Sequence, residues 1–90
     1  MIVIVSPQAL QDLTYWVKVK PRMAVRALEL IELTRRHPFN GPGKPEPLRH
    51  HMRGAWSRRI DDEHRLVYRI TGSGDAQTLE IAACRYHYSR

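Results

Sequence analysis

Cysteine occurs once in the 90-residue chain, as Cys84. No disulfide can close within the chain and no group of thiolates can hold a metal, so a reducing compartment suits it. Long apolar runs are also missing. Ile2-Val3-Ile4-Val5 stops at Ser6-Pro7 and has no charged segment before it, short of the ~7–15 residues of a signal-peptide core. Nothing approaches the ~20 apolar residues of a membrane span. The expectation is a cytoplasmic protein with no membrane partner. Five histidines are present, but the adjacent His50 and His51 would diverge on a strand, and His37 and His64 supply no third ligand at a recognised spacing. No metal and no cofactor are expected. A helix-turn-helix with a basic recognition helix is absent too, which argues against a DNA-binding repressor. Acidic residues are few, 9 against 15 Lys and Arg, giving a net charge of +6. Such a balance favours an anionic partner (nucleic acid, an acidic protein or a membrane surface) and says nothing about fold. Many small basic domains bind nothing specific, so the charge alone decides little.

What is present suffices for one domain, residues 1–90. The chain is 42% hydrophobic, too apolar for a disordered segment. Its core must be modest, so dimerisation or a bound partner would add useful stability. Ile2 to Val5 is β-branched and reads as a strand. Ser6 suits a helix N-cap and Pro7 the first helical position. Leu10, Leu13, Trp16 and Val17 then recur at helical spacing up to about Lys20. A second helix runs from about Pro21 to Arg36, with Ala24, Ala27, Leu28, Ile31 and Thr34 as its inner stripe, and His37-Pro38 stops it. The segment 38–47 holds four prolines and two glycines and reads as a stiff loop. Ala55 to Ile60 and His64 to Ile70 alternate as strands, a polar loop covers 71–76, and Leu79 to Tyr88 reads as a long last strand. The fold class is α+β: an N-terminal helical hairpin packed on one face of a mainly antiparallel β-sheet, with the other face partly polar and open.

Strand parity brings two arginines together. If Trp56, Ile60, Leu66, Tyr68 and Ile70 point into the core, directly opposed positions in the 55–70 hairpin must sum to an even number, so Arg59 and Arg65 share the other face. Two close cations repel unless an anion lies between them or each finds a carboxylate. A phosphate would satisfy the first case, and Asp61, Asp62 or Glu63 the second. Glu46 stands between Pro45 and Pro47, a stiff support that suits a positioned general base, although on this feature alone a plain loop glutamate is the readier reading. His87, in Arg85-Tyr86-His87-Tyr88, is either a proton donor or a terminal surface histidine.

These residues fall within longer runs. Gly43-Lys44-Pro45-Glu46-Pro47-Leu48-Arg49-His50, Gly54 to Ile60, Glu63-His64-Arg65-Leu66-Val67-Tyr68 and Ala83-Cys84-Arg85-Tyr86-His87-Tyr88 resemble the Txe/YoeB toxins, members of the RelE-like group of ribonucleases. Tyr15-Trp16 and Thr34 to Phe39 fit as well, so the resemblance spans nearly the whole chain. It implies a microbial-RNase-like fold and a toxin that cuts messenger RNA in the ribosomal A site, forms a homodimer and is silenced by an acidic antitoxin of the YefM/Axe kind. By position it implies that Glu46 is the general base and His87 the general acid. Arg65, helped by Arg59, would stabilise the scissile phosphate, and Tyr88 would shape the site. Lys44 and Arg49 match basic RNA-binding positions, although Arg49 replaces a usual lysine, and the two are not equivalent donors. Ser89 and Arg90 extend past the His-Tyr pair that usually closes such chains, which moves the terminal carboxylate further from the site. The loop 72–77 is longer than usual and lies away from the motifs. The rival expectation is a non-catalytic module that binds RNA or the ribosome through the same basic face and needs neither Glu46 nor His87.

Overall fold

The computed structural model describes residues 1–86. Strand β1 (Ile2–Val5) leads into helices α1 (Pro7–Val19) and α2 (Pro21–Arg36), followed by β2 (Glu46–Pro47), β3 (Trp56–Arg59), β4 (Arg65–Thr71) and β5 (Thr78–Ala83). The sheet order is β1-β5-β4-β3-β2. The first and last strands run parallel, and the other neighbours are antiparallel. The expected α+β architecture is therefore the one observed.

Ser6 starts α1 and also docks it. Its Oγ accepts the Ala9 N–H at 3.1 Å, as an N-cap should, and donates to the Ala82 carbonyl of β5 at 2.9 Å. The helix begins against the last strand, so its orientation is set at its first residue. Proline at the first position of α2 restarts the helix after the break at Lys20. The core lies between the hairpin and the sheet, with Leu30, Leu66, Leu79 and Ile81 fully enclosed. Burial of each such side chain stabilises by ~1.5–3 kcal/mol.

Three expectations need correction. Leu10, Val17 and Leu28 do not face the core: they are 60%, 60% and 55% exposed. The inward faces carry Ala9, Asp12 and Trp16 on α1, and Met23, Ala24, Ala27, Leu30, Ile31 and Thr34 on α2. Apolar residues occur on more than one side of each helix, and long-range anchors choose between them. Second, Glu46 and Pro47 are not loop residues; they pair with Ser57 and Trp56 as a short edge strand, where proline is tolerated. Third, the last strand does not run from Leu79 to Tyr88. β5 ends at Ala83 because the backbone of Cys84 is claimed by α1: its N–H donates to Asp12 Oδ2 at 3.0 Å and its carbonyl accepts Trp16 Nε1–H at 2.8 Å. Residues 87 and 88 of that expected strand lie outside the described residues.

Arg58 is wholly buried on the core side of β3. Its Nη2 donates to the carbonyls of His37 and Asn40 at 2.6 and 2.8 Å, tying the loop after α2 to the sheet. The Tyr68 hydroxyl donates to the Pro38 carbonyl and secures the same loop. Burial pushes the Tyr68 phenol above its ordinary value, against the opposing pull of Arg58. Gly43 is needed at this crossing: its φ is +88°, and a Cβ there would meet Arg58 Cγ at 2.5 Å.

Candidate active site

The face of β2, β3 and β4 opposite the helices carries Glu46, Ser57, Arg59 and Arg65, beside a second small apolar cluster of Leu48, Ala55, Val67 and Ala83. The register places Glu46 opposite Ser57 and Arg59 directly opposite Arg65, as parity requires. Arg65 Nη1 lies 3.2 Å from Glu46 Oε1 and 3.2 Å from Ser57 Oγ. Its side chain is 13% exposed, whereas that of Glu46 is 50% exposed. A guanidinium held at the base of this face thus meets a carboxylate open to solvent.

Each of the two arginines finds a carboxylate. Arg59 Nη2 pairs with Asp62 Oδ1 at 2.6 Å, one of the carboxylates expected for it. Arg65 pairs instead with Glu46, two strands away, which local sequence did not indicate. The turn between β3 and β4 is organised by Asp61, whose Oδ1 accepts the N–H groups of Glu63 at 2.9 Å and His64 at 2.7 Å. Burial works to raise the Asp61 carboxyl, but these donors, with the charge of Lys20, hold it below its ordinary value.

Lys44 lies beside Arg59 in a cleft that the two line with Arg26, Asp61 and Asp62. The chain at Lys44 is left-handed, with φ +49°, and the preceding Gly43 carbonyl accepts the Arg59 N–H at 2.7 Å. Arg49 stands apart: it is exposed and precedes the 3-10 turn His50–Met52. Among the described residues, neither Lys44 nor Arg49 forms an ion pair. His87 and Tyr88 lie outside the described residues; the chain is followed to Tyr86, whose carbonyl accepts the Arg65 N–H at 3.0 Å.

Two contributors were missed from sequence. Ser57 supports Arg65, and parity already put it on the face of Arg59, so that signal was available. Arg26 lines the cleft from α2, outside the inner stripe that helical periodicity gives for that helix. No group of three or more potential metal ligands occurs among the described residues. No described helix is long and apolar enough to cross a membrane.

A family model described as the YoeB-like toxin of bacterial type II toxin–antitoxin systems matches residues 5–88. The toxin YoeB of Escherichia coli K12 is 51% identical over 88 residues, 98% of this chain and 100% of the relative. A YoeB/ParE toxin from Agrobacterium tumefaciens has the same fold, with a TM-score of 0.92 at 45% identity, covering 98% of this chain and 100% of that one. YoeB from Staphylococcus aureus, solved as a dimer, aligns with a TM-score of 0.81 at 38% identity over 98% of each chain. The same toxin solved in a heterotetrameric complex with YefM gives 0.80 at the same identity and coverage.

Proposed function

The chain belongs to the family of YoeB-like toxins of bacterial type II toxin–antitoxin systems, and we propose that it acts as a ribosome-associated endonuclease of messenger RNA. The observation that carries this reading is the 3.2 Å approach of Arg65 to Glu46 on a face where Arg59 lies opposite Arg65. Such a group offers a proton acceptor and phosphate ligands side by side. A backbone phosphate entering the face competes with Glu46 for the Arg65 guanidinium, and a planar fork is well matched to phosphate. Once the phosphate takes that guanidinium, the Glu46 carboxylate is released to act on the neighbouring ribose.

In the reaction, Glu46 takes the proton of a ribose 2′-hydroxyl. The oxygen attacks the adjacent phosphorus in line, and the bond from phosphorus to the 5′-oxygen breaks. Arg65 and Arg59 stabilise the charge that gathers on the phosphoryl oxygens. Protonated His87 delivers a proton to the leaving 5′-oxygen, and Tyr88 shapes the site beside it. The products are a 2′,3′-cyclic phosphate and a 5′-hydroxyl, and DNA is resistant because it lacks the attacking oxygen. The guanidinium groups supply the positive charge, so no step calls for a metal. Lys44, with Arg49 beyond β2, holds the RNA backbone.

An acidic antitoxin and a second copy of the chain are the partners proposed. Two features favour them: the charge of +6, and apolar side chains left open to solvent on α1, α2 and β1, among them Leu10, Val17, Val25, Leu28 and Ile2.

The test is a cell-free translation reaction containing wild type, Glu46→Ala or His87→Ala, with 5′ ends mapped on the message. Wild type should cut at discrete points within the reading frame, and each substitution should lower cutting by roughly 10²–10⁴-fold while ribosome binding persists. If all three behave alike, or none cuts while all bind, the protein is a binding module that blocks translation without chemistry.

A further inference from the structure

The tail that carries His87 is fastened before it reaches that residue, and the last fastening is made by a side chain with no place in the mechanism above. After Cys84 leaves the sheet, the Arg85 guanidinium lies over the Tyr15 ring, 3.4 Å from its centroid. Tyr86 then adopts φ +70°. This left-handed conformation is unfavourable for a residue with a Cβ and persists only where its surroundings impose it. Here both backbone groups of Tyr86 are held by consecutive residues. Its N–H donates to His64 Nδ1 at 2.8 Å, and its carbonyl accepts the Arg65 N–H at 3.0 Å.

His64 is itself fixed on every side. It is 8% exposed, and its ring packs edge-on to Trp16 with centroids 4.7 Å apart. Its N–H is taken by Asp61 Oδ1 and its carbonyl by the Ile60 N–H at 2.9 Å. Because Nδ1 accepts a hydrogen bond it carries no proton, so the proton of the neutral ring is on Nε2, the nitrogen 3.6 Å from Glu63 Oε1. A buried histidine held in one tautomer is a rigid acceptor. The dipeptide His64-Arg65 therefore joins two parts of the site: the Arg65 side chain meets Glu46, while the His64 ring and the Arg65 N–H hold the turn one residue before His87.

We propose that His64 is a positioning residue, whose Nδ1 holds Tyr86 in its left-handed turn and thereby sets the direction in which the chain runs on to the proton donor His87. This rests on the reading of His87 as the general acid. The role belongs to the acceptor atom and not to the bulk of the ring, which makes it separable from packing.

Two substitutions divide those roles. His64→Phe keeps an aromatic ring against Trp16 and loses the acceptor. His64→Asn loses the ring and presents an amide oxygen close to the position of Nδ1. The Asn variant should retain cutting within a few-fold of wild type despite a lower Tm. The Phe variant should keep the higher Tm and lose kcat by about 10²-fold, the scale of a misplacement near 1 Å, with KM for RNA unchanged. Exchange of the Tyr86 amide hydrogen, which needs no activity, should be slow in wild type and the Asn variant and fast in the Phe variant. Activity that follows Tm in both variants, or Tyr86 exchange unchanged by Phe, overturns the inference. If wild type cuts and the Phe variant cuts equally well, the inference fails alone. If wild type cuts nothing, the nuclease reading fails, and the catalytic half of this inference fails with it.

Discussion

The two sides of the site are supported in opposite ways. Glu46 sits on an edge strand of two residues, between two prolines, with its side chain half exposed. Its placement comes from the covalent stiffness of its own neighbours and one short pairing. The approach to His87 is instead held by side chains distant in sequence: Asp12 and Trp16 grip Cys84 across separations of 72 and 68 residues, and His64 grips Tyr86 across 22. Glu46 is thus placed largely by local rigidity, and the chain up to Tyr86 by tertiary contact. If Glu46 is the base we propose, mutations beside it should act mainly on rate, and mutations under Cys84 and Tyr86 on stability and rate together.

The sharpest way to break this contrast is Asp12→Ala. It strips the buried Cys84 N–H of its acceptor, and the loss should be about 1–3 kcal/mol by urea denaturation, with cutting reduced as well. Asp12→Asn keeps one acceptor oxygen and should recover most of both. Next in size, replacing Pro45 and Pro47 together by Ala should cost about 0.4–1 kcal/mol per site through the entropy of the unfolded chain, while cutting falls several-fold. A loss of stability with no loss of rate would show that the prolines do not position Glu46.

A smaller effect reads the tail through pH. Burial, with the charge of Asp12 behind it, pushes the Cys84 thiol from its ordinary 9.0 up to about 12. The folded value lies above the unfolded one, so the stabilisation is whole below about pH 9 and is lost as pH rises toward 12. Cys84→Ala should therefore flatten the fall of Tm across that range relative to wild type. The smallest effect is expected on the outer face of α2. Glu32 is held down at about 2, chiefly by the hydrogen bond from Arg35 and further by the charges of Arg35 and Arg36. Its contribution is present above the unfolded carboxylate value and is lost as pH falls toward 2. The pair stands in open solvent, so Glu32→Gln should leave Tm at pH 7 unmoved within error.

The same division governs how much could be read from sequence. Features with local causes were legible: the cap at Ser6, the helix starts at Pro7 and Pro21, the hairpin that sets Arg59 against Arg65, and the stiffness around Glu46. Features with distant causes were not. Leu10, Val17 and Leu28 fitted a helical stripe as well as the residues that are buried; on α1 the docking of Ser6 on Ala82 and the grip of Asp12 and Trp16 on Cys84 choose the buried side. That grip also ends β5 at Ala83, although the β-favouring pattern runs on. Asp12 and Arg58 in the interior run against the expectation that charge faces water, and each is explained by backbone groups it satisfies far along the chain. Ser57 was legible by parity, but its task was not, because it depends on where the Arg65 side chain comes to rest.

The order of strands has a consequence for how the molecule is made. β5 is the last of the described strands in chain order, yet it lies between β1 and β4. Until it emerges, β1 has no neighbour, Ser6 has no Ala82 carbonyl to dock against, and the anchors on α1 have no Cys84 to hold. Non-local pairing of this kind forms late, since the loop must close before any contact repays it. The sheet therefore stays open until its own last described strand, β5, has been made, and the first strand waits for a partner that lies more than seventy residues further along the chain.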